Sequence, residues 1–203
     1  DLWTGRFFGF RDLLETVRRT ETPVRLRPFN IYFHMYSGER EASLAAVVGN
    51  LAEARRQELI PIAASHYAGV ADGFFTARLV SVGPRVWRIE DRDRLQTIRF
   101  DAGVSGVVDF AESRGVIGQR RHQGSLYVAL DPAAPEARVA LTDGPADDAA
   151  PDAPLPYLVE SRWPVRDVRA CATGLVFRTA GFGEGSMTWK LPGWRAVTVR
   201  SAG

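Results

Sequence analysis

Pro28-Phe29-Asn30-Ile31-Tyr32-Phe33-His34-Met35-Tyr36-Ser37-Gly38 is the stretch on which the reading of the fold turns. An apolar and aromatic run that begins after a proline, closes at Ser-Gly and precedes a helical pattern has the form of a buried strand feeding a loop and then a helix. Side chains alternate along an extended segment. Tyr32, His34 and Tyr36 therefore share one face, and Ile31, Phe33 and Met35 the other. At the carboxyl end of a barrel strand an imidazole between two phenols can donate, accept and stack on a sugar ring. His34 is the first candidate catalytic residue, although a hydrogen-bonded core histidine would use the same residue type. Ser37 is either a ligand to a substrate oxygen or a cap for the following helix.

Outward from this stretch, Phe10, Leu13, Leu14 and Val17 have helical spacing that Thr22-Pro23 stops. Leu44, Val47, Val48 and Leu51 predict an amphipathic helix to about Glu58, with Glu41 early and Arg55-Arg56 late, in agreement with the helix dipole. Leu59–Ala63 reads as a short buried strand, and Ser65 as the cap of a helix through Tyr67, Val70 and Phe74. This order of elements is that of the closing turns of an α/β barrel. His66 reads as an exposed first-turn residue, Tyr67 as core-facing and Asp72 as a surface residue.

After Gly83 the pattern changes to short β-prone runs: Val86–Ile89, Leu95–Phe100, Ser125–Leu130, Ala137–Leu141, Tyr157–Glu160, Gly174–Phe177, Met187–Leu191 and Ala196–Val199. Turns are expected at Asp91-Arg92-Asp93, Asp131-Pro132, Asp143-Gly144 and Pro192-Gly193. The expected fold class is α/β followed by all-β, with residues 1–82 as the closing strands and helices of a (β/α) barrel. Residues 83–203 form a β-sandwich-like domain with a loop or linker near 145–155. Trp87, Trp163, Trp189 and Trp194 are faces for sugar stacking or fillers of sandwich cores.

The 203 residues carry 26 Lys plus Arg against 24 Asp plus Glu, a formal charge of +2, and Lys190 is the one lysine. Arg18-Arg19, Arg55-Arg56 and Arg120-Arg121 are pairs rather than a basic patch, so no nucleic-acid partner is expected. Cys171 is alone and can form no intrachain disulfide. No apolar run is long enough to span a bilayer.

The segments GFRDLLETVRRTETPVRL, RLRPFNIYFHMYSGEREASLAAV and ARRQELIPIAASHYAGVADGFF resemble the late part of the deacetylase region of PelA-like proteins of Pel exopolysaccharide biosynthesis. Those proteins are similar to the polysaccharide deacetylases of carbohydrate esterase family 4. The resemblance covers roughly the first half of the chain and is much weaker beyond it. It implies a hydrolase that removes N-acetyl groups, with a divalent metal, zinc first, held by an Asp and two His. His34 matches the family's second His, the general acid to the leaving amine. Tyr32, Tyr36 and Ser37 would line the sugar.

The chain departs from that pattern because it has three histidines, His34, His66 and His122, and no His-x-x-x-His segment. Metal ligands are therefore expected outside this chain, which reads as a carboxyl-terminal portion inactive by itself. The partners so implied are an amino-sugar exopolysaccharide of the biofilm matrix and, further, another periplasmic biosynthesis protein. The periplasmic location follows from the resemblance.

Two other classes stay open: a non-catalytic carbohydrate- or partner-binding β module, and part of a glycoside hydrolase. For the latter, Glu39, Glu41 and Asp72 supply carboxylates without a decisive spacing. Gly181-Phe182-Gly183-Glu184-Gly185 lacks the Lys-Ser/Thr ending of a phosphate loop and reads as a hairpin turn.

Overall fold

A computed structural model describes residues 12–20, 28–57, 59–144, 150, 153–172, 174–193 and 197–200. The chain divides into two compact units, Asp1–Leu59 and Ile60–Gly203. The division precedes the third helix, whereas the sequence reading drew it at 82/83.

In the first unit, α1 (Leu13–Arg19) buries Val17, and α2 (Glu41–Arg56) carries Glu41 in its first turn and Arg55 and Arg56 in its last. The expected strand around His34 is replaced. Residues 28–34 form no ladder and Met35–Glu39 is a 3-10 helix, with Ser37 N–H donating to the His34 carbonyl at 2.9 Å. Leu59–Ala63 likewise joins no sheet. A strand exists only where a neighbour accepts and donates its backbone bonds, and no described strand lies beside either run. The helix expected to run to about Glu58 ends at Arg56, and its burial is not that of an amphipathic face: Val47 is buried, while Leu44, Val48 and Leu51 are exposed.

The second unit is β-rich. It begins with α3 (Ala64–Thr76), then β1 (Arg78–Gly83), β2 (Val86–Glu90), β3 (Thr97–Phe100), β4 (Val107–Val108), β5 (Val116–His122), β6 (Ser125–Leu130), β7 (Ala137–Thr142), β8 (Tyr157–Ser161), β9 (Val165–Cys171), β10 (Gly174–Thr179) and β11 (Met187–Lys190). One sheet has the order β1-β2-β7-β4, a second β11-β8-β5-β6-β3, and β9 and β10 form a separate pair. Ile89, Val139 and Leu141 of the first sheet meet Leu126, Val128 and Leu130 of the second in one buried cluster, onto which Trp87, Ile98 and Phe100 fold. These are the alternate positions of β2, β6 and β7, as two facing sheets require.

A second cluster, Ile117, Leu158 and Val165 with Val168, Phe177, Met187 and Trp189 around it, joins the β9–β10 pair to the sheet containing β5 and β8. No barrel is formed by the described residues. Gln123 and Gly124 both have positive φ and close the β5–β6 hairpin tightly, the geometry of a two-residue primed turn. β5 and β8 run parallel and approach so closely at Gly118 that a Cβ there would overlap the Leu158 carbonyl.

Turn chemistry around Arg92 ties the unit together. Arg92 is 1% exposed; its guanidinium donates to the carbonyls of Leu95 at 2.7 Å, Asp131 at 2.6 Å and Ala134. The Asp131 carboxylate in turn accepts from the backbone N–H groups of Ala133, Asp167 and Val168 at 2.8–3.0 Å. The two expected turns, 91–93 and 131–132, are thus bolted to each other and to the start of β9.

Ser65 does not cap α3. Ala63 occupies the cap position without a side-chain bond, and Tyr67 is exposed rather than core-facing. Val197–Arg200 forms no strand. Trp194, Thr22-Pro23 and most of the 145–155 loop lie outside the described residues. No helix among the described residues is long and apolar enough to cross a membrane.

Candidate functional site

Three of the four sequence-predicted site residues come together on the surface of the first unit. His34 keeps an extended backbone, φ −92° and ψ 154°, and immediately afterwards the chain turns into the 3-10 helix. The turn brings Tyr36 parallel to the imidazole, with ring centroids 4.9 Å apart and an interplanar angle of 9°. Tyr32 meets the imidazole edge-on at 5.2 Å and 74°. Tyr32 is 72% exposed, and His34 and Tyr36 are exposed as well, so the imidazole sits in an aromatic clasp open to solvent. Ser37 is separated from them: it is 3% exposed and lies inside the turn that sets the clasp.

The remaining histidines are elsewhere in the second unit. His66 Nε2 is 3.3 Å from Gln96 Nε2, half-buried at the start of α3, and His122 ends β5. Among the described residues no three His, Cys, Asp or Glu side chains converge as a metal site would need. The described residues offer no such ligand set for the metal that the family resemblance implies. Glu39, Glu41 and Asp72 are exposed.

A second concave feature escaped the sequence reading. On the face of the β5–β6–β8 sheet beside the β9 strand lies a cleft of about 210 Å³, with Ile117, Ala129, Leu158 and Val165 among its apolar walls. Polar residues converge on the same cleft: Gln96, Thr97, Arg120, Glu160 and Ser161, with the rings of Tyr127 and Trp163. Arg120 Nη1 and Glu160 Oε2 pair at 2.6 Å across neighbouring strands, each about two-fifths exposed. Tyr127 Oη is buried and makes no hydrogen bond among the described residues.

Trp163 is placed by the glycine-rich loop between β10 and β11. A Cβ on Gly181 or Gly185 would overlap its indole, and Trp163 Nε1 donates to the Phe182 carbonyl at 3.4 Å. The loop is no hairpin turn, because β10 pairs with β9 and β11 with β8. Its glycines serve close packing on an aromatic ring.

The aromatic candidates therefore divide. Trp87 packs tilted against Phe100 at 4.9 Å and Trp189 against Phe177 at 5.0 Å, both as core fillers, whereas Trp163 borders the cleft. The Arg120-Arg121 pair also splits: Arg120 joins the cleft, while Arg121 donates to the carbonyls of Val104, Gly106 and Gly124. Trp163 was the one signal in the sequence. Its polar neighbours come from β3, β5, β8 and the residue before β3, and are visible only once β5 and β8 are adjacent.

No protein-family model, curated protein or solved structure matches the chain.

Proposed function

We propose that the chain is the carboxyl-terminal portion of a metal-dependent polysaccharide N-deacetylase, acting on N-acetylhexosamine units of an exopolysaccharide in the periplasm. The observation that carries this reading is the exposed imidazole of His34, stacked on Tyr36 and met edge-on by Tyr32. A general acid for amide hydrolysis must reach the leaving nitrogen from the surface of a site and be held in one orientation, and the two rings supply that orientation. In this reading a divalent metal would supply polarisation of the acetyl carbonyl, and residues other than those described would hold it. His34 donates the proton to the departing amine, and Tyr32 and Tyr36 offer ring faces and hydroxyls to the sugar. Ser37 acts through the turn it occupies. The extended backbone of Ile31–His34 would become a barrel strand on pairing with a neighbour outside the described residues.

The test is release of acetate from an N-acetylhexosamine oligomer by the intact parent polypeptide. His34→Ala should lower turnover by about 10²–10⁴-fold, the usual contribution of a positioned acid, with the circular dichroism spectrum unchanged. Undiminished turnover refutes the assignment.

A second reading, a carbohydrate- or partner-binding module, is favoured by the cleft bordered by Trp163 and the Arg120–Glu160 pair.

A further inference from the structure

The cleft beside β9 combines three features that a small uncharged ring with several hydroxyls would use together. Its walls are mainly aliphatic, from Ile117, Ala129, Leu158 and Val165. Two aromatic rings, Tyr127 and Trp163, border it. Its polar groups are arranged as neutral donor–acceptor sets: the Arg120–Glu160 pair at 2.6 Å, the Gln96 amide and the hydroxyl-bearing Thr97 and Ser161.

Each of these features narrows the ligand. The paired guanidinium and carboxylate leave no uncompensated charge, so an ionic ligand would have to break an existing ion pair. A ring with vicinal hydroxyls needs only to share it, since the guanidinium retains donors and the carboxylate lone pairs beyond those in the pair. The volume, about 210 Å³, lies below the roughly 300–1,000 Å³ of sites that engulf drug-sized ligands. One ring fits, with its neighbours in a chain left outside. The apolar walls suit the C–H face of such a ring.

The site is also held in shape independently of any ligand. Gly118 allows β8 to lie against β5, which sets Glu160 beside Arg120. The Gly181–Gly185 loop fixes the Trp163 indole, and Ser161 Oγ bonds the Trp163 carbonyl at 2.5 Å and accepts from its backbone N–H at 3.2 Å. Preorganisation of this kind lowers the entropy cost of binding.

We propose that this cleft is a binding site for a single uncharged hexopyranose unit of a saccharide chain, with Arg120 and Glu160 as the hydroxyl-binding pair and Trp163 as the ring that borders it. The site is separate from the His34 clasp and needs no turnover, so it stands or falls apart from the deacetylase reading.

The experiment is a titration of the isotopically labelled 203-residue chain with chitotriose, cellotriose and the cationic monosaccharide glucosamine, observed through backbone amides and indole N–H signals. Trp163→Phe identifies the Trp163 indole signal by its disappearance. Saturable shifts confined to β5, β8 and the Trp163 indole are expected with chitotriose or cellotriose. Arg120→Ala and Glu160→Ala, both at partly exposed positions, should each weaken that binding about tenfold while the rest of the spectrum stays in place. The proposal is overturned by the absence of saturable shifts with either neutral trisaccharide. It is also overturned by shifts that persist undiminished in both variants, or by a response to glucosamine alone.

Discussion

Gly73 of α3 lies against the Arg92 carbonyl so closely that a Cβ would overlap it. One turn earlier Gly69 meets the Arg94 side chain, so the glycine face of α3 seats on the 91–95 turn and the helix belongs with the sheets rather than with the helices before it. Gly73→Ala should destabilise the second unit by about 1–3 kcal/mol, the usual cost of overpacking, as read by urea denaturation. Gly69→Ala should cost less, because the Arg94 chain can swing away. Equal effects at the two positions would contradict this seating.

Arg92 is the buried centre of that same turn. Burial holds its guanidinium below the usual arginine range, and Asp131 partly offsets the effect. Arg92→Leu leaves three carbonyls without their donor and should cost about 3 kcal/mol in denaturation. Asp131→Ala should release the start of β9, seen as faster amide exchange at Asp167 and Val168.

Gly118→Ala would force β5 and β8 apart at their one parallel bridge. The expected outcome is a loss of about 2–3 kcal/mol together with separation of Arg120 from Glu160. If sugar binding survives that variant undiminished, the cleft does not depend on the strand adjacency.

The stack of His34 on Tyr36 makes a spectroscopic claim independent of activity. Tyr36→Leu should move the His34 ring proton resonances by removing the aromatic ring above them, whereas Tyr36→Phe should leave them nearly in place. In the turnover assay, Tyr36→Phe should then be mild and Tyr36→Leu more severe if orientation of the imidazole is what matters.

Glu53 near the end of α2 is held below the usual carboxylate range chiefly by its bond with Arg56, and then by Gln57. A carboxyl lowered in the folded state adds stability above its unfolded pKa and loses it as pH falls through the folded value. Helical signal from α2 should therefore decline slightly below the ordinary carboxylate range, and Glu53→Gln should flatten that decline. The pair is exposed, and added salt should weaken it.

Local patterns carried the parts of this fold that are local. Ser125–Leu130 has the bounds its β-prone residues predict, and the helix Glu41–Arg56 has the acidic first turn and basic last turn that suit its dipole, though it ends short of the expected Glu58. Both depend on side-chain period and helix-end electrostatics, which neighbouring residues in sequence specify. β5 and β9 were missed because Gln119-Arg120-Arg121 and Arg166-Asp167 do not look like strand interiors. Their polar side chains are placed by partners far along the chain: Gln119 Oε1 accepts from Val108 N–H at 2.6 Å, and Arg120 pairs with Glu160.

At the candidate sites the same division holds. The sequence by itself put Tyr32 and His34 on one face of an extended run, whereas Tyr36 reaches the imidazole through the 3-10 turn that the alternation did not foresee. It also determined that the second unit would be built of short strands. Tertiary structure alone decided that residues 28–34 stay outside any described sheet, since a strand is completed by another chain segment's hydrogen bonds. It decided equally that Glu160 and Trp163 face Arg120 and Tyr127, since strand adjacency and close glycine contacts are properties of the folded backbone.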